Sequence, residues 1–92
     1  MTERSVTVTN ELGMHARAAA RFVQLASRFA SQIQVRRDAK VMDGKSIMGI
    51  LLLAAARGTA ISIAADGHDE AAAVDALCGL VEAGFNEASW SV

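Results

Sequence analysis

The chain of 92 residues has one cysteine, Cys78, which excludes an internal disulfide and any metal site built from several thiolates. It has no basic surplus: Lys and Arg number 9 against 10 Asp and Glu, a net charge of −1. A nucleic-acid binder usually carries an excess of cations. Aromatics make up 4% of the residues and none falls in a predicted strand, so the sheet has no platform for stacking bases. The longest apolar run, Ile50 to Ala56, is far too short to span a bilayer. The opening stretch MTERSVTV lacks a basic region followed by an apolar one, so no secretory signal is expected. These absences predict a reducing, cytoplasmic setting without membrane insertion or nucleic acid.

Hydrophobic residues reach 52%, much of it alanine, so the core must be assembled from small side chains. The length predicts one domain over residues 1–92, and no linker, repeat or low-complexity segment interrupts it. Ser5 to Thr9 alternates polar and β-branched residues, a half-buried strand with Val6 and Val8 inward. Asn10 to Gly13 reads as a loop. From Ala16 to Phe29 the larger apolar residues Phe22, Val23, Leu25 and Phe29, with Ala19 and Ala26, give the stripe of an amphipathic helix. Ser31 to Arg37 alternates again with Ile33 and Val35 inward. Asp38-Ala39 turns the chain so that Lys40 to Met42 can pair back.

Ser46 suits the N-cap of a short helix over Ile47 to Ala54, with Arg57-Gly58 expected to supply a C-terminal cation and a stop. Ala60 to Ala64 is a last strand. Asp66 to Glu70 opens a final helix with Val74, Leu77 and Val81 buried, Cys78 beside them as a small core hydrophobe and Gly84 at its end. His68 between Asp66 and Asp69 is better explained by capping and solvation than by a metal. The order β-α-β-β-α-β-α with short, one-faced strands predicts an α+β open-faced two-layer sandwich. A four-stranded antiparallel sheet would carry three helices on one face.

The chemistry concentrates at Gly13-Met14-His15-Ala16-Arg17. A helix N-terminus leaves backbone N–H groups without intrahelical partners and carries the positive end of the dipole, an anion site in the making. Arg17 in the first turn adds a bidentate donor for phosphate or carboxylate. A neutral imidazole at His15 is a nucleophile able to accept a phosphoryl group, and the positive helix end disfavours its protonation. On spacing alone, a solvated histidine and an ordinary surface arginine explain the pair as well.

The segment Val8 to Arg17 followed by Ala18-Ala19 resembles the active-site segment of the HPr family, histidine-containing phosphocarriers of the bacterial phosphoenolpyruvate-dependent phosphotransferase system. Gly44-Lys45-Ser46-Ile47-Met48-Gly49-Ile50 is similar to that family's regulatory-serine motif, at the family's spacing. Element order and length agree with its open-faced sandwich, so the likeness covers essentially the whole chain. The resemblance implies that His15 is the phosphoryl acceptor, on Nδ1, and that Arg17 stabilises the phosphate. Enzyme I would be the donor and a histidine of an enzyme IIA the recipient. It implies a covalent carrier, not an enzyme, with no cofactor and no metal. It also implies that Ser46 can be phosphorylated by a dedicated serine kinase, as in some bacteria, with a matching phosphatase.

The family's usual proline after the arginine is Ala18 here. The lysines many members carry on helix one are replaced by Gln24 and Ser27. The second helix is apolar all round, which predicts an exposed partner-binding set of Ile47, Met48 and Leu51 beside His15. Arg17, Arg21 and Lys45 would form a basic rim that steers an acidic partner. A tail or a dimer contact, through Trp90 or Phe85, would cover the patch instead. The chain is expected to be monomeric. Two other functions fit the residues: a regulatory, nitrogen-branch-like paralogue acting through its phosphorylation states, and a small phosphatase using His15 as nucleophile and Arg17 as clamp, for which no water-activating residue is evident.

Overall fold

The computed structural model describes residues 1–86. The chain runs β1 (Thr2–Thr7), α1 (Ala16–Ala26), β2 (Gln32–Arg37), β3 (Lys40–Asp43), α2 (Ile47–Leu52), β4 (Ala60–Asp66) and α3 (Glu70–Glu82). The strands form one antiparallel sheet in the order β1-β4-β2-β3. The order and the open-faced architecture are those expected from the sequence.

The period-two alternation fixes which face is buried. Val6 stands opposite Ile61 and Val35 opposite Ile63, and all four are buried. Ala18, Ala19, Phe22 and Ala26 of α1 and Val74, Leu77, Cys78 and Val81 of α3 close over them. The other sheet face is polar, with Ser5 and Ser62 hydroxyls 3.2 Å apart and Arg36 3.4 Å from Glu3. Phe85 follows α3 and is fully buried in the core, so it is core rather than a cover for an exposed patch. Trp90 lies outside the described residues.

Element ends shift where local geometry overrides the pattern. β1 lies over residues 2–7 rather than 5–9. Val8 stays inward and bonded, donating to the Thr59 carbonyl at 2.9 Å and accepting from the Gly58 N–H at 2.7 Å. α1 stops at Ala26 because the chain tightens: Arg28 and Phe29 donate to carbonyls three residues back, at 3.1 and 3.2 Å. α2 stops at Leu52, two residues short of the expected end. Ala54 has φ +53°, a left-handed conformation that costs a non-glycine residue roughly 1–2 kcal/mol. The expected cation Arg57 has no hydrogen bond there. Instead Arg37 Nη1 donates to the carbonyls of Leu53 and Ala54 at 2.7 and 3.0 Å, and Lys40 Nζ to that of Leu52 at 3.3 Å.

The far end of the molecule is tied by Asp69. Its carboxylate accepts from the Ala30 N–H at 2.8 Å, the Ser31 N–H at 3.0 Å and the Ser31 hydroxyl. The Ser31 hydroxyl and then the Ala30 and Ser31 amides hold Asp69 down to a pKa of about 2, with a smaller contribution from His68. Glu70 is lowered in the same direction by the Thr2 hydroxyl and the N-terminal ammonium. A depressed folded-state pKa stabilises above the unfolded value near pH 4 and ceases to as pH falls through the folded value. Wild-type stability should therefore decline on acidification between about pH 4 and pH 2. In Asp69→Asn that decline should be visibly shallower, as followed by urea unfolding at a series of pH values. Parallel acid limbs for the two proteins would refute the assignment.

Candidate functional site

His15 is the N-cap residue of α1, with extended backbone (φ −78°, ψ 178°). The side chain does what a capping serine or aspartate does: Nδ1 accepts the backbone N–H of Arg17 at 3.3 Å. A ring nitrogen that accepts carries no proton, so the neutral imidazole holds its proton on Nε2. The Nδ1 lone pair thus faces the first turn. The His15 carbonyl takes the N–H of Ala19 at 2.8 Å, which starts the intrahelical ladder. The N–H groups of residues 16–18 lie ahead of it. A group added at Nδ1 would stand among those N–H groups, at the positive end of the dipole. The ring is partly exposed and Arg17 is exposed.

The loop before His15 is held from both sides. The Asn10 side-chain amide donates to the Gly13 carbonyl at 2.8 Å, and the Gly13 N–H donates to the Asn10 carbonyl at 3.1 Å. Gly13 has φ +65°, and a β-carbon there would lie 2.7 Å from the Ala55 carbonyl oxygen and 2.9 Å from Ala56 Cα. Met14, nearly buried, donates its N–H to the same Ala55 carbonyl at 2.9 Å. The His15 loop therefore rests on the segment that leaves α2. Ala18 is fully buried, so the residue after Arg17 packs into the core.

The expected site residues divide into two groups. Arg17 and Arg21 lie on α1 within its first two turns from His15. Lys45 and Ser46 do not join them. Lys45 Nζ donates to the Phe29 carbonyl at 2.7 Å, beyond the C-terminal end of α1. Eleven helical residues, about 16 Å of rise, separate that point from His15. The Met14–Ala55 and Lys45–Phe29 bonds at opposite ends make α1 and α2 antiparallel, so the start of α2 is remote from His15. Lys45 is therefore not part of a basic rim beside His15, and Arg21, half-buried, lines a groove with Gln24, Arg28 and Leu80, which leaves Arg17 as the cation of the first turn.

The apolar set also changes. Ile47 and Met48 are exposed, at 44% and 65%, but they occupy the Ser46 end of α2. Leu51 is half-buried against the core, and Leu52 is exposed instead. A six-residue helix turns 51 toward the sheet with buried Ile50 and leaves 48 and 52, four apart, on its outer side. Leu12, exposed at 66%, adds an apolar residue on the His15 loop that periodicity could not reveal. Ser46 caps α2 as expected, its Oγ accepting the Gly49 N–H at 3.1 Å.

The model of a family described as the PTS HPr component phosphorylation site matches residues 2–83. The phosphocarrier protein HPr of Cupriavidus necator is 45% identical over 87 residues, covering 95% of this chain and 98% of that protein. The phosphocarrier protein NPr of Shewanella violacea is 44% identical over 87 residues, covering 95% and 96%. The crystal structure of HPr-C-His from Thermoanaerobacter tengcongensis superposes with a TM-score of 0.90 at 45% identity, covering 94% of this chain and 97% of that one.

Proposed function

The chain belongs to the HPr family of phosphocarriers of the phosphotransferase system, and on that footing we propose that His15 Nδ1 takes a phosphoryl group from enzyme I and yields it to a histidine of an enzyme IIA. The observation that carries the proposal is the Nδ1 lone pair facing the first turn of α1. In the transfer the donor's N–P bond breaks as the Nδ1–P bond forms, and the electron pair returns to the donor nitrogen. No proton has to leave Nδ1 first. The first-turn N–H groups and the Arg17 guanidinium would hold the phosphoryl oxygens. The protein works in the cytoplasm, as a monomer that presents this open site to each partner in turn.

The test is incubation with enzyme I and phosphoenolpyruvate, followed by intact mass. One acid-labile phosphate per chain, absent from His15→Ala, is the expected result. No adduct with the cognate enzyme I would sink the carrier function, and sustained phosphate release would point to a phosphatase. The relative named NPr, at 44% identity, lies within a point of the Cupriavidus necator HPr at 45%, which supports a second reading, a regulatory branch of the same chemistry. Transfer to a regulatory enzyme IIA in preference to a sugar-specific one would favour it.

Ser46 is proposed as a regulatory position for a serine kinase. A phosphate on its Oγ would add about −1.5 to −2 charges at the outer end of α2, beside exposed Ile47 and Met48. Ser46→Asp should slow phosphoryl transfer from enzyme I without altering the fold, and equal rates would count against the idea. Ser46→Ala should leave transfer intact yet lower unfolding stability by about 1 kcal/mol through loss of the cap. Denaturant titration measures that loss.

A further inference from the structure

The seat of the His15 loop is residues 53–56, and its shape is an unusual one for the sequence that makes it. Ala54 is left-handed, at φ +53°, with no glycine to make that conformation easy. The turn ends α2 early and swings the Ala55 carbonyl out to meet the Met14 N–H at 2.9 Å. The carbonyls at the bend, Leu53 and Ala54, point to a single donor, Arg37 Nη1 at 2.7 and 3.0 Å. Arg37 ends β2 and comes from the sheet, not from either helix. Its Nε lies 4.0 Å from Asp38 Oδ2, so that arm faces the turn while Nη1 serves the carbonyls. Lys40 adds a third cationic contact, at the Leu52 carbonyl.

We propose that Arg37 is a positioning residue for His15. Its guanidinium holds the left-handed bend at Ala54, the bend places the Ala55 carbonyl, and that carbonyl fixes the loop from which the imidazole projects. The inference rests on His15 being the phosphoacceptor. Arg37 touches neither the ring nor a bound phosphate. It acts through three consecutive carbonyls, and its loss lets the 53–56 segment relax toward the right-handed conformation alanine prefers. A small displacement of the reacting nitrogen is enough to slow a transfer that depends on alignment.

The chain has two histidines, His15 and His68, so it carries its own control. Wild type, Arg37→Ala, Arg37→Lys and Arg37→Ala/Ala54→Gly are compared by the initial rate of phosphate uptake from enzyme I and by NMR of both imidazoles. Arg37→Ala should be about tenfold slower, with the His15 ring resonances displaced and those of His68 unmoved. Arg37→Lys, which keeps the charge without the planar fork, should fall between. Adding Ala54→Gly should restore both readouts, because glycine adopts the bend unaided. Asp69→Asn, which loosens the far end, should leave the rate unchanged. If wild type takes no phosphate, the carrier function fails, and the ring resonances still report on positioning. If wild type is phosphorylated while Arg37→Ala matches it in rate and His15 resonances, the role of Arg37 is overturned. Joint movement of His15 and His68 would overturn it too, as general loosening.

Discussion

Gly13→Ala should be about 3 kcal/mol less stable than wild type in urea unfolding. Two costs combine. The residue sits at φ +65°, where a β-carbon costs roughly 1–2 kcal/mol. That carbon would also lie 2.7 Å from the Ala55 carbonyl oxygen and 2.9 Å from Ala56 Cα. These are backbone atoms, so relief requires one segment to move, at about 1–3 kcal/mol for overpacking. Gly58→Ala separates the two. Gly58 has φ +88° with nothing within 4 Å of the added carbon, so it should show the conformational cost alone. Equal losses at the two positions would mean that the contact with 55–56 is immaterial. The fold that survives in Gly13→Ala should also exchange the Met14 amide faster, since its bond to Ala55 crosses the same contact. Phosphoryl uptake should drop with it, because the displaced loop carries His15.

That contact shows where sequence could be read and where it could not. Alternation in Ser31–Arg37 and in Ala60–Ala64 fixed the inward residues, because a period of two leaves no freedom once one face is buried. The stripe on α1 was legible for the same reason at a period of 3.6. The placement of His15 and Arg17 at the start of α1 was legible because helix-terminus signals are local. The support beneath them is not local. Arg37 and Ala54 are 17 residues apart and meet in space, and Ala54 gives no signal of its own, since alanine is a good helix former. Lys45 was misplaced because a lysine beside Ser46 looks free until the Phe29 carbonyl is found against it. Leu51 and Leu52 exchanged roles because a helix of six residues is too short for its pattern to choose a face.

Arg17→Ala should lower the rate of phosphoryl uptake by about a hundredfold while leaving the fold intact. The two effects have opposite origins. For folding, a cation in the first turn faces the positive end of the helix dipole, and alanine is the better helix residue. Stability should therefore stay within about 0.5 kcal/mol of wild type. For transfer, charge on the moving phosphoryl oxygens is what an arginine beside Nδ1 can stabilise, and its fork does so bidentately. Arg17→Lys keeps charge but loses the fork, so it should recover part of the rate. The backbone N–H of residue 17 remains in both variants, so the Nδ1 contact of 3.3 Å and the ring's tautomer should persist. The measurement is quenched-flow phosphorylation by enzyme I, read by intact mass, with urea unfolding on the same preparations. A slow Arg17→Ala that is also unstable would trace the defect to packing. A stable Arg17→Ala that is as fast as wild type would remove Arg17 from the chemistry and leave the phosphate to the helix N–H groups alone.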